Sequence, residues 1–150
     1  MTNEEKQLVF KDLCARLPHG VQIHIDFKEN GHIVGDATLN TITSITGQIF
    51  GFVDFEQDFK NGDCCPVSGF GSNKLLHLEQ FKPYLRPMSS MTKEEDDMYW
   101  CMNYNPGTKV EHIIFAPKLI DWLNAHHFDY RGLIEKGLAL EAPEGMYNLA

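Results

Sequence analysis

A chain of 150 residues and 17.1 kDa fits one ordinary domain. Leu, Ile, Val and Phe supply 40 of those residues, enough to close a core and to exclude disordered, collagenous and coiled-coil classes. Thirteen basic against 21 acidic residues leave a net charge of -8, a field that repels phosphate backbones and anionic membranes.

Residues 3–17 predict an amphipathic helix, because Phe10, Leu13, Cys14 and Leu17 recur at i, i+3, i+4 and i+7, with Leu8 and Val9 widening the stripe. On that stripe Cys14 reads as a small core residue. Thr2 or Asn3 supplies a cap, and Pro18 with Gly20 ends the element. From Val21 the period changes to 2, and Val21, Ile23, Ile25 and Phe27 define a half-buried strand. Asn30-Gly31 is a hairpin signal. A Thr-rich stretch over 32–46 follows, with a bend or bulge expected at Gly35, then a turn at Thr46-Gly47-Gln48 and a strand from Ile49 to Phe55. Residues 56–73 hold three glycines and no periodicity, so they read as one long loop, and Lys74 to Glu79 as a short strand. Phe81 to Pro87 reads as an extended, proline-braced exit from the sheet.

In the second half, Thr92-Lys-Glu-Glu95 is a capping box opening a helix over about 93–103, and the acids Glu94 to Asp97 read as a solvated first turn. Val110 to Phe115 suggests a short edge strand, and Pro117 the first position of another helix bearing Leu119, Ile120 and Leu123, with His126 and His127 in its last turn. Asp129 suits the cap of a short helix over Tyr130 to Lys136, ended by Gly137, and the last dozen residues read as a tail. The expectation is an α+β fold: an N-terminal helix with an antiparallel sheet or small SH3-like barrel of about five strands over 1–85, and a helical region, 86–150, packed on it as one unit.

No stretch approaches 18 consecutive apolar residues, and MTNEEKQLVF lacks the basic and apolar parts of a secretory signal. The four cysteines, Cys14, Cys64, Cys65 and Cys101, are irregularly spaced, which predicts free thiols in a reducing cytoplasm.

Three segments, KDLCARLPHGV at 11–21, FKPYLRPMSSMTKEE at 81–95 and IDWLNAHHFDYRGLIEKGLALEAPEGMY at 120–147, together resemble a group of uncharacterised small proteins of gut Bacteroides, their prophages and mobile elements. The resemblance implies an intracellular protein of phage or mobile-element origin and gives no residue a catalytic role.

Chemistry-bearing residue types are sparse in pattern. Cys64, Cys65 and His77, with a fourth ligand from His24, His32 or Cys101, form the best zinc set, but adjacent cysteines point apart and no CxxC pair is present. The same thiols with His77 and Asp63 can be drawn as a nucleophile and base, without any nucleophile-elbow motif. Gly69-Phe-Gly71-Ser-Asn-Lys74 lacks phosphate-loop spacing, and the aromatics Phe50, Phe52, Phe55 and Phe59 stand among acids, the wrong sign for nucleic acid. His126 and His127 are not an i, i+4 ligand pair and read as helix-end histidines facing the dipole. Trp122, His126, His127, Tyr130 and Arg131 gather the side chains enriched at protein interfaces. The sequence therefore points to a non-enzymatic protein without a cofactor, whose partner is another protein. The alternatives are a Cys/His enzyme or metal site over 56–77 and a nucleic-acid-binding barrel or acidic nucleic-acid mimic.

Overall fold

Helix α1 (Asn3–Arg16) starts at a reciprocal capping box in which the Glu5 amide donates to Thr2 Oγ1 at 3.1 Å and the Thr2 amide to the Glu5 carboxylate at 2.7 Å. The computed structural model describes residues 1–27, 32–54, 59–65, 73–103 and 109–147. One 3-10 turn, Leu17–His19, follows α1, and Gly20 at φ 70° releases the chain into the sheet. The buried face of α1 is Val9, Asp12, Leu13 and Arg16. Cys14 is exposed, against the expectation from spacing, while Phe10 and Leu17 are only half-buried. Apolar periodicity misplaced the face because its inner side holds an ion pair, which such a pattern counts as solvent-facing.

The strands form two open sheets, the antiparallel-sheet form of the expected α+β fold. Strands β1 (Gln22–Phe27) and β2 (His32–Thr38) pair antiparallel with Ile25 opposite Gly35, and the Asn30-Gly31 turn between them lies outside the described residues. The chain leaves β2 at Leu39 and Asn40, and β3 (Thr41–Ile45) turns through Thr46 and Gly47, both at positive φ, into β4 (Gln48–Asp54). Residues 56–73 are not one loop. Within them β5 (Phe59–Cys65) pairs antiparallel along β2, with a register shift beside Asp36 and Ala37. Its sequence, FKNGDCC, has little intrinsic strand preference, so the long-range ladder decides the conformation. Strand β6 (Asn73–His77) adds to β4, and after a 3-10 turn β7 (Phe81–Leu85) pairs with β1. The proline-braced exit is thus a sheet strand.

Helix α2 (Lys93–Asn103) has the predicted bounds and cap, Thr92 and Glu95 exchanging bonds of 3.0 and 3.2 Å. The expected strand over 110–115 is instead the start of α3 (Lys109–Ala125), with Pro117 inside it. Branched residues lower helix propensity by only tenths of a kcal/mol each, a cost that packing against α2 readily overrides. Residues 130–136 form turns, not a helix, around Gly132 and Gly137 at φ 70°. Asp129 still caps them, its two carboxylate oxygens accepting from the amides of Leu133 and Ile134. Nor is the C-terminal stretch a tail: β8 (Leu140–Glu141) pairs parallel with β7. The Tyr147 hydroxyl donates to the Tyr84 carbonyl and accepts from the Gln22 amide.

The five-stranded sheet, ordered β5-β2-β1-β7-β8, and the three-stranded sheet, β3-β4-β6, share one core. Ile23, Ile25, Leu76 and Leu85 of the strands meet Val9 and Leu13 of α1 and Leu133 and Leu138 of the C-terminal turns there. Gly51 is required at its place, because a Cβ would stand 2.7 Å from the Phe81 ring. Among the described residues no helix is long and apolar enough to cross a membrane.

Candidate functional site

The thiol and histidine set is divided between the sheets. Cys64 and Cys65 lie on β5, an edge of the five-stranded sheet, and their side chains are outside the described residues, as is that of His32. His77 lies on β6, an edge of the three-stranded sheet, where its ring leans on Phe50 at 4.8 Å between centroids. His24 bonds Asp36 instead, and Cys101 is exposed on α2. Among the described residues no three His, Cys, Asp or Glu are grouped to hold a metal ion.

On the outer face of the five-stranded sheet, alternation brings His24 of β1, Asp36 of β2 and Tyr84 of β7 together. Asp36 Oδ1 accepts from the Tyr84 hydroxyl at 2.8 Å and from His24 Nδ1 at 3.0 Å, which fixes the histidine tautomer with Nε2 free of this pair. Burial, then the bond to Asp36, pushes the Tyr84 phenol up to about 12. Sequence reading missed this network because its members are far apart in the chain. It ties three adjacent strands, β2, β1 and β7, across one face of the sheet.

The C-terminal set, Trp122, His126, His127, Tyr130 and Arg131, is largely used for packing. Trp122 is half-buried and stacks on the fully buried Phe128 at 5.6 Å and on His126 at 4.5 Å. His126 Nδ1 donates to the Trp122 carbonyl, closing the C-terminal end of α3. His127 is buried at φ 59°, a left-handed conformation that a side chain rarely adopts, and stacks on Tyr147 at 3.8 Å. Its Nε2 donates to the His19 carbonyl, and its Nδ1 is buried without a partner. Desolvation, then the nearby Arg16 charge, lowers it to about 4. His127 is therefore neutral near pH 7, which replaces the picture of a cationic histidine facing the helix dipole.

Beneath this set, Arg16 and Asp12 form a fully buried pair, with bonds of 2.7 and 3.0 Å. Arg16 Nη2 also donates to the Phe128 carbonyl at 2.7 Å, joining α1 to the C-terminal turns. Arg131 Nε stands 3.2 Å from Asp12, near enough for charge attraction but not aligned as a hydrogen bond. Tyr130 has both guanidinium groups over its ring, at 5.5 and 4.9 Å. The cluster is a structural joint.

Between the start of α2 and the C-terminal segment runs a groove of about 750 Å³, lined by Arg86, Glu94, Glu95, His126, Glu144 and Tyr147 among others. Its strongest charges are already spent on each other: Arg86 grips Glu95 with bonds of 2.7 and 2.8 Å, and its guanidinium lies 4.2 Å over Phe128. That grip holds the Glu95 carboxyl down at about 2.

Helix α2 itself is different. None of its residues is buried, and Trp100 is 60% exposed and Met98 51% exposed. Tyr99 meets the indole edge-on at 5.9 Å. The residues Met98-Tyr-Trp-Cys-Met102 run round the whole helix, so one core cannot cover them all. That run is the sequence signal of an aromatic face left outside the core.

Compared with family models, curated proteins and solved structures, the chain matches none.

Proposed function

We propose that this is a non-enzymatic cytoplasmic accessory protein, of phage or mobile-element origin, that works by contact with another protein through α2. The observation that carries the reading is Trp100, an indole left 60% exposed on a helix with no buried residue. Tryptophan is among the residues enriched at interface hot spots, and among the described residues the ring contact this one makes is with its neighbour Tyr99. The set Trp122, His126, His127, Tyr130 and Arg131 supports the contact from beneath by fixing α3, on which α2 rests. A nucleic-acid partner is disfavoured by the net charge of -8.

The test is affinity capture from host cells with the wild-type chain, Trp100→Ala and, as a control on the other sheet, Gln48→Ala. A stoichiometric protein should come down with wild type and Gln48→Ala, then bind purified wild type with an affinity that Trp100→Ala lowers at least about tenfold, as for a hot spot. Binding indifferent to Trp100→Ala, with both variants folded, would sink the reading.

A further inference from the structure

The acids of α2 are not equivalent. Glu95 faces inward and is gripped by Arg86, whose guanidinium also lies on Phe128. Here the molecule assembles a helical carboxylate, a guanidinium and an aromatic ring into one unit. On the outer face Asp96 and Asp97 stand four and three residues before Trp100, one turn away on the same side of the helix. Helical side chains lean toward the N-terminus, which aims the indole over the turn that carries these two acids. Both aspartates are exposed, and no ion pair among the described residues engages either. The outer face thus offers the carboxylates and the ring, and the matching third part is a cation from outside.

Resting on the protein-contact reading above, we infer that the outer face of α2 receives an arginine-bearing basic segment of its partner, the guanidinium stacking on Trp100 and bonding Asp96 and Asp97. Arginine fits better than lysine, because a planar guanidinium can lie on an indole while its edge donates two parallel bonds to a carboxylate. An excess of eight negative charges steers such a segment inward from a distance.

The probes are capped hexa-arginine and hexalysine peptides, read by the two indole N–H resonances, which Trp100→Phe and Trp122→Phe assign. Hexa-arginine should move the Trp100 resonance saturably, more tightly than hexalysine, while the half-buried Trp122 moves little. Asp96→Asn with Asp97→Asn should weaken the effect at least about tenfold while lowering the melting temperature by no more than a few degrees, since both positions are exposed and a first-turn acid contributes at most about 1 kcal/mol. A Trp100 resonance that stays still, or an affinity the double variant leaves unchanged, overturns the inference. So does a captured partner whose binding needs Trp100 but tolerates the double variant, an outcome that leaves the protein-contact reading standing.

Discussion

Two regions of this molecule use their aromatic and charged residues in opposite ways. Where α1 meets the sheets and the turns after α3, even an arginine is fully buried, its charge met by Asp12 and its Nη2 also donating to the Phe128 carbonyl. On α2, a helix of similar length, no side chain is buried and a tryptophan faces outward. The first region invests its polar groups in holding distant segments together, and the second leaves them available. Binding surfaces tend to come from elements that contribute little to the fold, because such elements can be shaped for a partner without cost to the core.

The sharpest way to break this contrast is to remove Asp12. Asp12→Ala would leave Arg16 buried without its counter-charge, a change that typically costs about 3–5 kcal/mol. In a chain of this length the melting temperature should fall by roughly 10 °C or more. Asp12→Leu with Arg16→Met should recover part of that loss, since an apolar pair avoids the desolvation of two charges. A cost for Asp12→Ala below about 1 kcal/mol would show that the joint is as dispensable as the α2 surface.

Acid should loosen the same region next. His127 has its proton affinity lowered to about 4, from an ordinary value near 6.5, so between these limits the unfolded chain binds more protons than the folded one. Stability therefore rises with pH across that window: the contribution is complete above about 6.5 and is lost as the pH falls through 4. At full size the effect is about 3 kcal/mol. Urea titrations at a series of pH values measure it. His127→Asn, which tolerates the left-handed backbone and cannot titrate, should flatten the slope between pH 4 and 6.5. The slope between about pH 4.5 and 2, over which the contribution of the Glu95–Arg86 bond fades, should survive. An unchanged slope in His127→Asn would assign the acid sensitivity elsewhere.

Legibility followed the range of the interaction. Elements set by neighbours in sequence were readable: α1 from its cap candidates and its Pro18-Gly20 stop, α2 from its capping box, the Thr46-Gly47 turn from its glycine, and the Asp129 cap from its side chain. Elements set by distant partners were not. Strand β5 exists because β2 offers a ladder, α3 runs through Val110 and Pro117 because α2 packs beside it, and the last residues are held by β7 and Tyr147. The interface candidates divided on the same principle. Trp122 and Arg131 have the composition of a binding surface, but contacts with Phe128 and Asp12 draw them into the packing. Trp100, inside a run of apolar residues, reached the surface because a helix has more faces than a neighbour can cover.

The smallest expected effect on stability is also the most telling. If α2 displays its surface instead of spending it on the fold, Trp100→Ala should change unfolding stability by no more than about 0.5 kcal/mol, the range for exposed positions without a cap, cavity or ion pair. Truncating the largest side chain in the sequence ordinarily costs about 3–5 kcal/mol when that side chain is buried in a core. The gap between those two figures is wide enough for one chemical denaturation curve to decide. A loss above about 2 kcal/mol would place Trp100 in the packing and remove the contrast between the two regions. A near-neutral result, together with loss of partner binding, would identify α2 as a surface kept for contact, since a tryptophan without a packing role contributes only through what it touches outside the chain.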